Sequence, residues 1–330
     1  MIVSKTPVRI SFFSGGSDMP SFYLHEAGAA LSVTIDKYNY VSLQNVKHSN
    51  VKFIHDEIYE VDDVNDMKHE ITRETLKYFD INDDITITSV SDITAKGSGL
   101  GSSSAFTVGL VNAMSHYKYG HDYSISASKL AKTACNIEID RCKFPIGKQD
   151  QYAAAYGGFN LFEFEPSDDV AIREVILKTE VEQKFQNNLI LVYSGKGRSA
   201  NKILQKQQSL MDDAAKFDLV RKSMYKAYEG AELLRGGYID DFGRLLHEAW
   251  MDKKRVVAEI SHSYFDEIYE NCIDAGALGG KLLGAGGGGF FLFYVRPEYK
   301  DSVVRAILKY PLCKIYDFKF VHKGSVVTTI

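Results

Sequence analysis

Two runs rich in β-branched and aromatic residues open the chain, "VRISFF" and "LSVTIDKYNYVSLQNV", and predict strands. "VKFIHD" follows the turn-forming "KHSN", a spacing that predicts a hairpin with the strand before it. Positions 65–79 carry a helical pattern, and "DDITITSV" alternates Ile with Thr as a strand with one covered face requires. Beyond a glycine–serine stretch, Phe106, Gly109, Leu110, Ala113, Met114 and Tyr117 recur at helical spacing. Residues 124–142 predict a second helix, with Leu130, Ala134 and Ile137 on one stripe and Pro145 and Gly147 stopping it. "DQYAAAY" predicts a short helix ended by Gly157 and Gly158, and "FNLFEFE" a further strand.

The polar segment 165–188, with "EPSDD" and "EQKFQNN", interrupts this pattern and divides the chain into an N-terminal unit, 1–185, and a C-terminal unit, 186–330. "LILVYSG" restarts it as a buried strand. Two long helical stretches follow, at about 200–235 and 238–276. "GGKLLGAGGGGFFLFYV" sets a second glycine loop before an aromatic strand, "VVRAILKY" is helical and "CKIYDFKFV" alternates. The sum is two α/β layers, the second of a split strand–helix–strand type, without internal repeats or low-complexity tails.

Composition leaves this picture intact and narrows the partners. The chain has 330 residues, 45% hydrophobic and 25% charged, which is ordinary globular material with ample core. A net charge of −4 argues against nucleic acid or an anionic membrane surface as partner. No apolar run approaches the roughly 20 residues of a spanning helix. "MIVSKTPVRISFF" lacks the apolar core and cleavage site of a signal peptide. Cys135, Cys142, Cys272 and Cys313 show no CxxC spacing, which predicts free thiols in a reducing cytoplasm and no cysteine metal site. Whether the chain forms a homo-oligomer is left open.

Four segments carry candidate chemistry. "GSGLGSSSA", residues 97–105, lies between a predicted strand and a predicted helix. A helix's first N–H groups lack intrahelical partners and its dipole end is positive, so glycines there let backbone approach a phosphate. A plain flexible turn is the competing reading. The stretch fits neither the P-loop, since no Lys-Ser/Thr follows the glycines, nor the dinucleotide fingerprint, whose third glycine would come one residue later. In "NIEIDRCKFPIGKQDQY", Glu138 reads as a buried ligand or as a solvated carboxylate paired with Arg141. Asp150, past the Pro-Gly break, reads as an ionised base or as a helix cap. In "TPVRISFFSGGSDMP", Arg9 stands in an apolar strand and needs either a partner or an edge facing water, and Asp18 follows two glycines. "GAGGGG", 284–289, reads as a plain turn or as close backbone approach to a ligand or to the first glycine loop.

In this order, "PVRISFFSGGSD", "GSGLGSSSA" and "KLLGAGGGG" resemble the three motifs of the GHMP kinases, and the resemblance covers nearly the whole chain. Ala95 stands where the family usually has a proline. "SGGSDMPSFY", "TIDKY", "IGKQDQYAAAYGGFN" and "YSGKGRSA" are similar to the branch of sugar-1-kinases that act on a heptose 7-phosphate. Fucokinase domains share several of these stretches. Ser14 and Ser17 depart from that branch's frequent Gly and Thr, with Asp18 kept.

The resemblance implies an α+β fold of two domains, an N-terminal ribosomal-protein-S5-domain-2-like domain and a C-terminal ferredoxin-like one, with the active site in the cleft between them. It implies ATP and magnesium as cofactors. The ATP phosphates would lie on Gly97, Ser98, Gly99, Leu100, Gly101, Ser102, Ser103 and Ser104, and the metal on Ser103 and Glu138. Asp150 would be the catalytic aspartate and Arg9 its basic partner. Asp18, Gly16, Arg198 and Gly286 would meet the sugar. The implied reaction phosphorylates the anomeric hydroxyl of a sugar phosphate, within nucleotide-activated heptose synthesis for bacterial surface carbohydrate. A free-sugar kinase for fucose or galactose, a catalytically silent sugar sensor and a nucleotide-binding oxidoreductase are the competing readings.

Overall fold

The computed structural model of the chain describes every residue except 48–49, 94–96, 121 and 198–200. The first half runs β1 (Ile2–Phe13), α1 (Pro20–Tyr23), β2 (Gly28–Asn45), β3 (Val51–Ile54), β4 (Ile58–Val61), α2 (Glu70–Phe79), β5 (Ile85–Ser91), α3 (Ser102–Tyr119), α4 (Ala127–Cys135), α5 (Gln149–Tyr156), β6 (Phe159–Phe164), β7 (Val170–Glu174) and α6 (Thr179–Asn187). The second half runs β8 (Leu189–Tyr193), α7 (Asn201–Ser209), α8 (Ala214–Arg235), α9 (Ile239–Val256), α10 (Ser263–Asp274), β9 (Ala277–Leu282), β10 (Phe290–Val295), α11 (Lys300–Ile307), β11 (Lys314–Tyr316) and β12 (Val326–Thr329). Among the described residues no helix is long and apolar enough to cross a membrane.

The first sheet has the order β12-β1-β2-β5-β3-β4. Strand β2, 18 residues long, serves two neighbours on one edge: residues 28–33 pair with β6 and residues 39–45 with β5. The second sheet is antiparallel throughout, β11-β8-β10-β9. Its two central strands, β8 and β10, are apolar along nearly their whole length because both faces are covered: Phe291 and Phe293 meet Phe265 and Tyr269 of α10, and Tyr294 on the other face meets Phe185 of α6.

Among the described residues β2 and β3 do not pair as the hairpin expected around "KHSN" would require, and residues 48–49 of that stretch lie outside the described ones. Strand β3 pairs in parallel with β5 and antiparallel with β4, while β5 takes the edge of β2. Buried Ile85 and Ile87 match that edge, and this long-range apolar pairing outweighs the local turn. The helix expected over 124–142 stops at Cys135 and continues as a π-helical turn, Asn136–Arg141, closed by the Cys142 amide on the Ile137 carbonyl at 2.9 Å. The long stretch over 200–235 is broken into α7 and α8, with Asp213 capping α8 through the amides of Ala215 and Lys216.

Helix α6 spans the position where the sequence divides the chain, and its Phe185 is fully buried against Phe12, Phe159, Phe242 and Phe320. The last strand, β12, returns to pair with β1. We propose a division into units 1–185 and 186–330, joined by this aromatic layer.

Candidate active site

Strand β1, the loop 97–101, the start of α5, the helix α9 and the loop 284–289 converge on a cavity of about 670 Å³. Gly97, Gly99 and Gly101 all hold positive φ (66°, 78° and 72°), a conformation that costs an ordinary residue strain. The second glycine loop lies against the first. A Cβ on Gly99 would meet the Leu283 carbonyl oxygen at 2.5 Å, and the Phe290 amide donates to the Ser98 carbonyl at 3.0 Å. The close approach of the two loops, one of the two readings of "GAGGGG", is therefore what forms.

Arg9 reaches out of β1 and grips Asp150 with two bonds, Nε to Oδ1 at 2.8 Å and Nη2 to Oδ2 at 2.7 Å. Its third nitrogen, Nη1, donates to the Gly99 carbonyl at 2.7 Å. One guanidinium thus fixes the carboxylate at the start of α5 relative to the first glycine loop. Such forked pairing is the strongest geometry available to an arginine–carboxylate pair. Asp150 also lies at the opening of α3, where a Cβ on Gly101 would sit 3.2 Å from its Oδ2. Arg9 is buried, and the reading of an edge arginine facing water does not hold.

Asp18 lies on the other side of the same helix start. Its Oδ1 accepts from Ser14 Oγ at 2.8 Å and its Oδ2 from the Gln149 amide at 3.2 Å. Burial, and then the charge of Asp150, raise its carboxyl above the ordinary range. Ser14, Gly15 and Gly16 line the cavity beside it, and Gly16 leaves room for Gln207, whose Nε2 donates to the Gly15 carbonyl at 2.6 Å.

Glu138 is fully buried on the π-helical turn. Ser103 Oγ donates to its Oε1 at 3.2 Å and Gln151 Nε2 to its Oε2 at 2.6 Å. Burial pushes its carboxyl up to about 7, against the pull of those hydrogen bonds. The competing reading of Glu138, a solvated carboxylate or a pair with Arg141, does not hold: Glu138 is fully buried and Arg141 turns to Glu74 at 3.8 Å. Gln151 Oε1 beside it is buried without a partner. A buried, unpaired carboxylate, a serine hydroxyl and an orphaned amide oxygen suit a magnesium ion that brings its own waters. Among the described residues no group of three His, Cys, Asp or Glu could hold a metal.

The remaining sequence candidates separate. Gly97, Ser98, Gly99, Gly101, Ser102, Ser103 and Ser104 line the cavity, whereas Leu100 is buried in the core and offers its carbonyl to the Arg9 amide at 3.0 Å. Gly286 is not among the residues that line the cavity, and a Cβ there would strike Ile260 at 2.9 Å. Arg198 lies outside the described residues. Nearby Lys196 is stacked on the Tyr264 ring at 4.1 Å. Sequence reading missed Lys253 and Lys281, whose side chains also line the cavity. A signal was there for the first: Phe242, Leu246, Ala249 and Lys253 form one helical stripe, buried in its first three members. It also missed Lys148, which lies just before Asp150 and ties α5 to Asp168 by an ion pair at 2.5 Å, while Tyr23 donates to the same Asp168 oxygen at 2.7 Å.

Residues 67–158 match the GHMP kinases N terminal domain and residues 231–311 the GHMP kinases C terminal domain, together more than half of the chain. The chain belongs to the GHMP kinases. A GHMP kinase is a phosphotransferase, which sets the oxidoreductase reading aside. A D-glycero-alpha-D-manno-heptose 7-phosphate kinase of Campylobacter jejuni is 28% identical over 98% of this chain and 97% of its own length. The bifunctional fucokinase/GDP-fucose pyrophosphorylase of Arabidopsis thaliana is 24% identical over 92% of this chain, which spans 31% of that longer protein. A crystal structure of a D-glycero-D-manno-heptose 1-phosphate kinase from Bacteriodes thetaiotaomicron has a TM-score of 0.81 at 24% identity, over 100% of this chain and 99% of that one. Lactococcus lactis galactokinase complexed with galactose has a TM-score of 0.75 at 17% identity, over 98% and 95%. These two likenesses show the shared two-domain fold of the GHMP kinases.

Proposed function

We propose that this GHMP kinase transfers the γ-phosphoryl group of ATP to the anomeric hydroxyl of a sugar phosphate, with D-glycero-D-manno-heptose 7-phosphate, giving the 1,7-bisphosphate, as the leading acceptor. The observation that carries the reading is the forked Arg9–Asp150 pair held against the Gly99 carbonyl, which puts a fixed carboxylate where the phosphate loop meets the Asp18 side of the cavity. The 28% identity to the heptose 7-phosphate kinase over 98% of this chain supports the acceptor class.

The bond changes balance around Asp150. The acceptor oxygen bonds to the γ-phosphorus as the bond from that phosphorus to the β–γ bridging oxygen breaks. The electron pair leaves with ADP, and the hydroxyl proton passes to the Asp150 carboxylate. Arg9 keeps that carboxylate oriented, and Asp18 accepts from a neighbouring sugar hydroxyl. The backbone amides that open α3 hold the phosphates at the positive end of its dipole. Ser103 and Glu138 would hold magnesium, which when bound neutralises charge on the β and γ phosphates. His55, His69 and Phe106, which line the far end of the same cavity, would receive the base.

An ADP-release screen over phosphorylated and free sugars tests the proposal. Turnover with heptose 7-phosphate at least tenfold above free fucose and galactose is the expected outcome. The reverse order makes the protein a free-sugar kinase, and sugar-independent silence makes it a sensor.

A further inference from the structure

The junction between the phosphate loop and the Asp18 side is short of positive charge if only Arg9 is counted. All three guanidinium nitrogens of Arg9 are already engaged, by Asp150 and by the Gly99 carbonyl. A phosphoryl group in transit carries charge on three equatorial oxygens, more than the two N–H groups left on the Arg9 guanidinium can meet.

Two other cations line the cavity among the described residues, Lys253 and Lys281. The neighbours of Lys253 on α9 meet opposite charges outside the cavity: Asp252 pairs with Lys226 at 2.5 Å and Lys254 with Asp266 at 3.1 Å. Lys253 turns inward along the apolar stripe and donates to the carbonyl of Gly284. Gly284 in turn packs on Gly99, where a Cβ would lie 2.6 Å from the Gly99 Cα. The ammonium therefore sits at the seam of the two glycine loops, next to the carbonyl that Arg9 holds. Lys281 stands behind it, buried, with its Nζ on the Phe12 carbonyl at 2.6 Å. Each ammonium is given one protein acceptor, a carbonyl, and has donors to spare. Lys281 is buried and Lys253 half-buried, each on a carbonyl rather than a carboxylate, and a desolvated cation of this kind is costly unless an anion arrives. Burial, and then the charge of Arg9, draw the Lys253 ammonium down to about 8, while Asp18 pulls the other way.

We propose that Lys253 is a further residue of the transfer step, donating to the phosphoryl group as it passes between the nucleotide and the acceptor. The inference rests on the kinase reading above and adds a named donor to it.

Binding measurements test it without any acceptor. Calorimetry compares ADP with the imido-bridged ATP analogue, both with magnesium, on the wild type and on Lys253→Met. The variant should bind ADP within about twofold of the wild type and lose about tenfold in affinity for the analogue, the loss of one charge-assisted contact to the terminal phosphate. With the best acceptor from the sugar screen, kcat should fall about a hundredfold with little change in KM for the sugar, and Lys253→Arg should recover part of it. Equal losses for ADP and the analogue, or no loss in a variant that melts like the wild type, overturn the proposal. Should Lys253→Met fail to fold, Lys253→Gln carries the same comparison. A wild type that prefers a free sugar removes the heptose phosphate and leaves the analogue comparison as it stands.

Discussion

A Cβ on Gly284 would lie 2.6 Å from the Cα of Gly99, so the glycine loop before α3 and the loop between β9 and β10 touch backbone to backbone. Neither loop can shift without the other, which couples the first sheet to the second at the site itself. Gly284→Ala would meet this contact and a φ of 66° together, and should lower kcat more than tenfold with a clear fall in melting temperature. Gly120→Ala is the control. Its φ of 98° is also strained, but nothing lies within 4 Å of the added Cβ. It should cost about 1–2 kcal/mol of stability and leave kcat unchanged. Paired melting curves and steady-state rates decide the matter; equal effects on kcat would deny the coupling.

Asp150→Asn keeps the size of the side chain, leaves Arg9 one acceptor in place of two, and removes the proton acceptor. A fall in kcat of about 10² or more, with ATP affinity nearly unchanged, is expected. Turnover near that of the wild type in a folded variant would take Asp150 out of the reaction.

Glu138 links metal to pH. Its carboxyl, raised to about 7 by burial, binds a proton as pH falls below that value, and magnesium must then displace it. The half-saturating magnesium concentration should stay level above pH 8 and rise as pH drops through 7 toward 6. Glu138→Gln should need about tenfold more magnesium and lose this pH dependence. Magnesium titrations of activity at several pH values check both, and identical curves for variant and wild type would leave Glu138 as a buried carboxylate only.

Lys148 and Tyr23 meet at Asp168, itself at a φ of 73° in the turn between β6 and β7. This tie holds the residue two before Asp150. Lys148→Met should lower kcat several-fold with little change in KM for ATP, and lower stability by about 1 kcal/mol, as loss of a partly exposed hydrogen-bonded pair usually does. An unchanged kcat with a lowered melting temperature would make the tie structural alone.

Arg198 is weighed on its motif, "YSGKGRSANK", where it stands between two lysines beside a turn. Arg198→Ala should raise KM for the heptose phosphate about tenfold, the loss of one charge-assisted contact, and scarcely alter KM for ATP. If both constants stay put, the 7-phosphate of the acceptor, at the opposite end from the reacting hydroxyl, is held elsewhere.

The local chemistry was legible in the sequence alone. Glycines at 97, 99 and 101 between a β pattern and a helical one announce a turn with positive φ and a helix opening, because only glycine adopts that backbone cheaply. The motif order that resembles the GHMP kinases follows from such short, local signals, and so do Asp150 and Glu138 as candidates. What only the tertiary structure decided are the meetings between distant segments. The grip of Arg9 on Asp150 spans the first unit, and the pairing of β5 with β2 in place of a β2–β3 hairpin rests on apolar surface far apart in the chain. The seating of Lys253 on Gly284 joins a helix to a loop across the cavity. Such contacts depend on burial and on which faces pack, and no spacing along the chain encodes the distance between two segments that meet only when the sheets close.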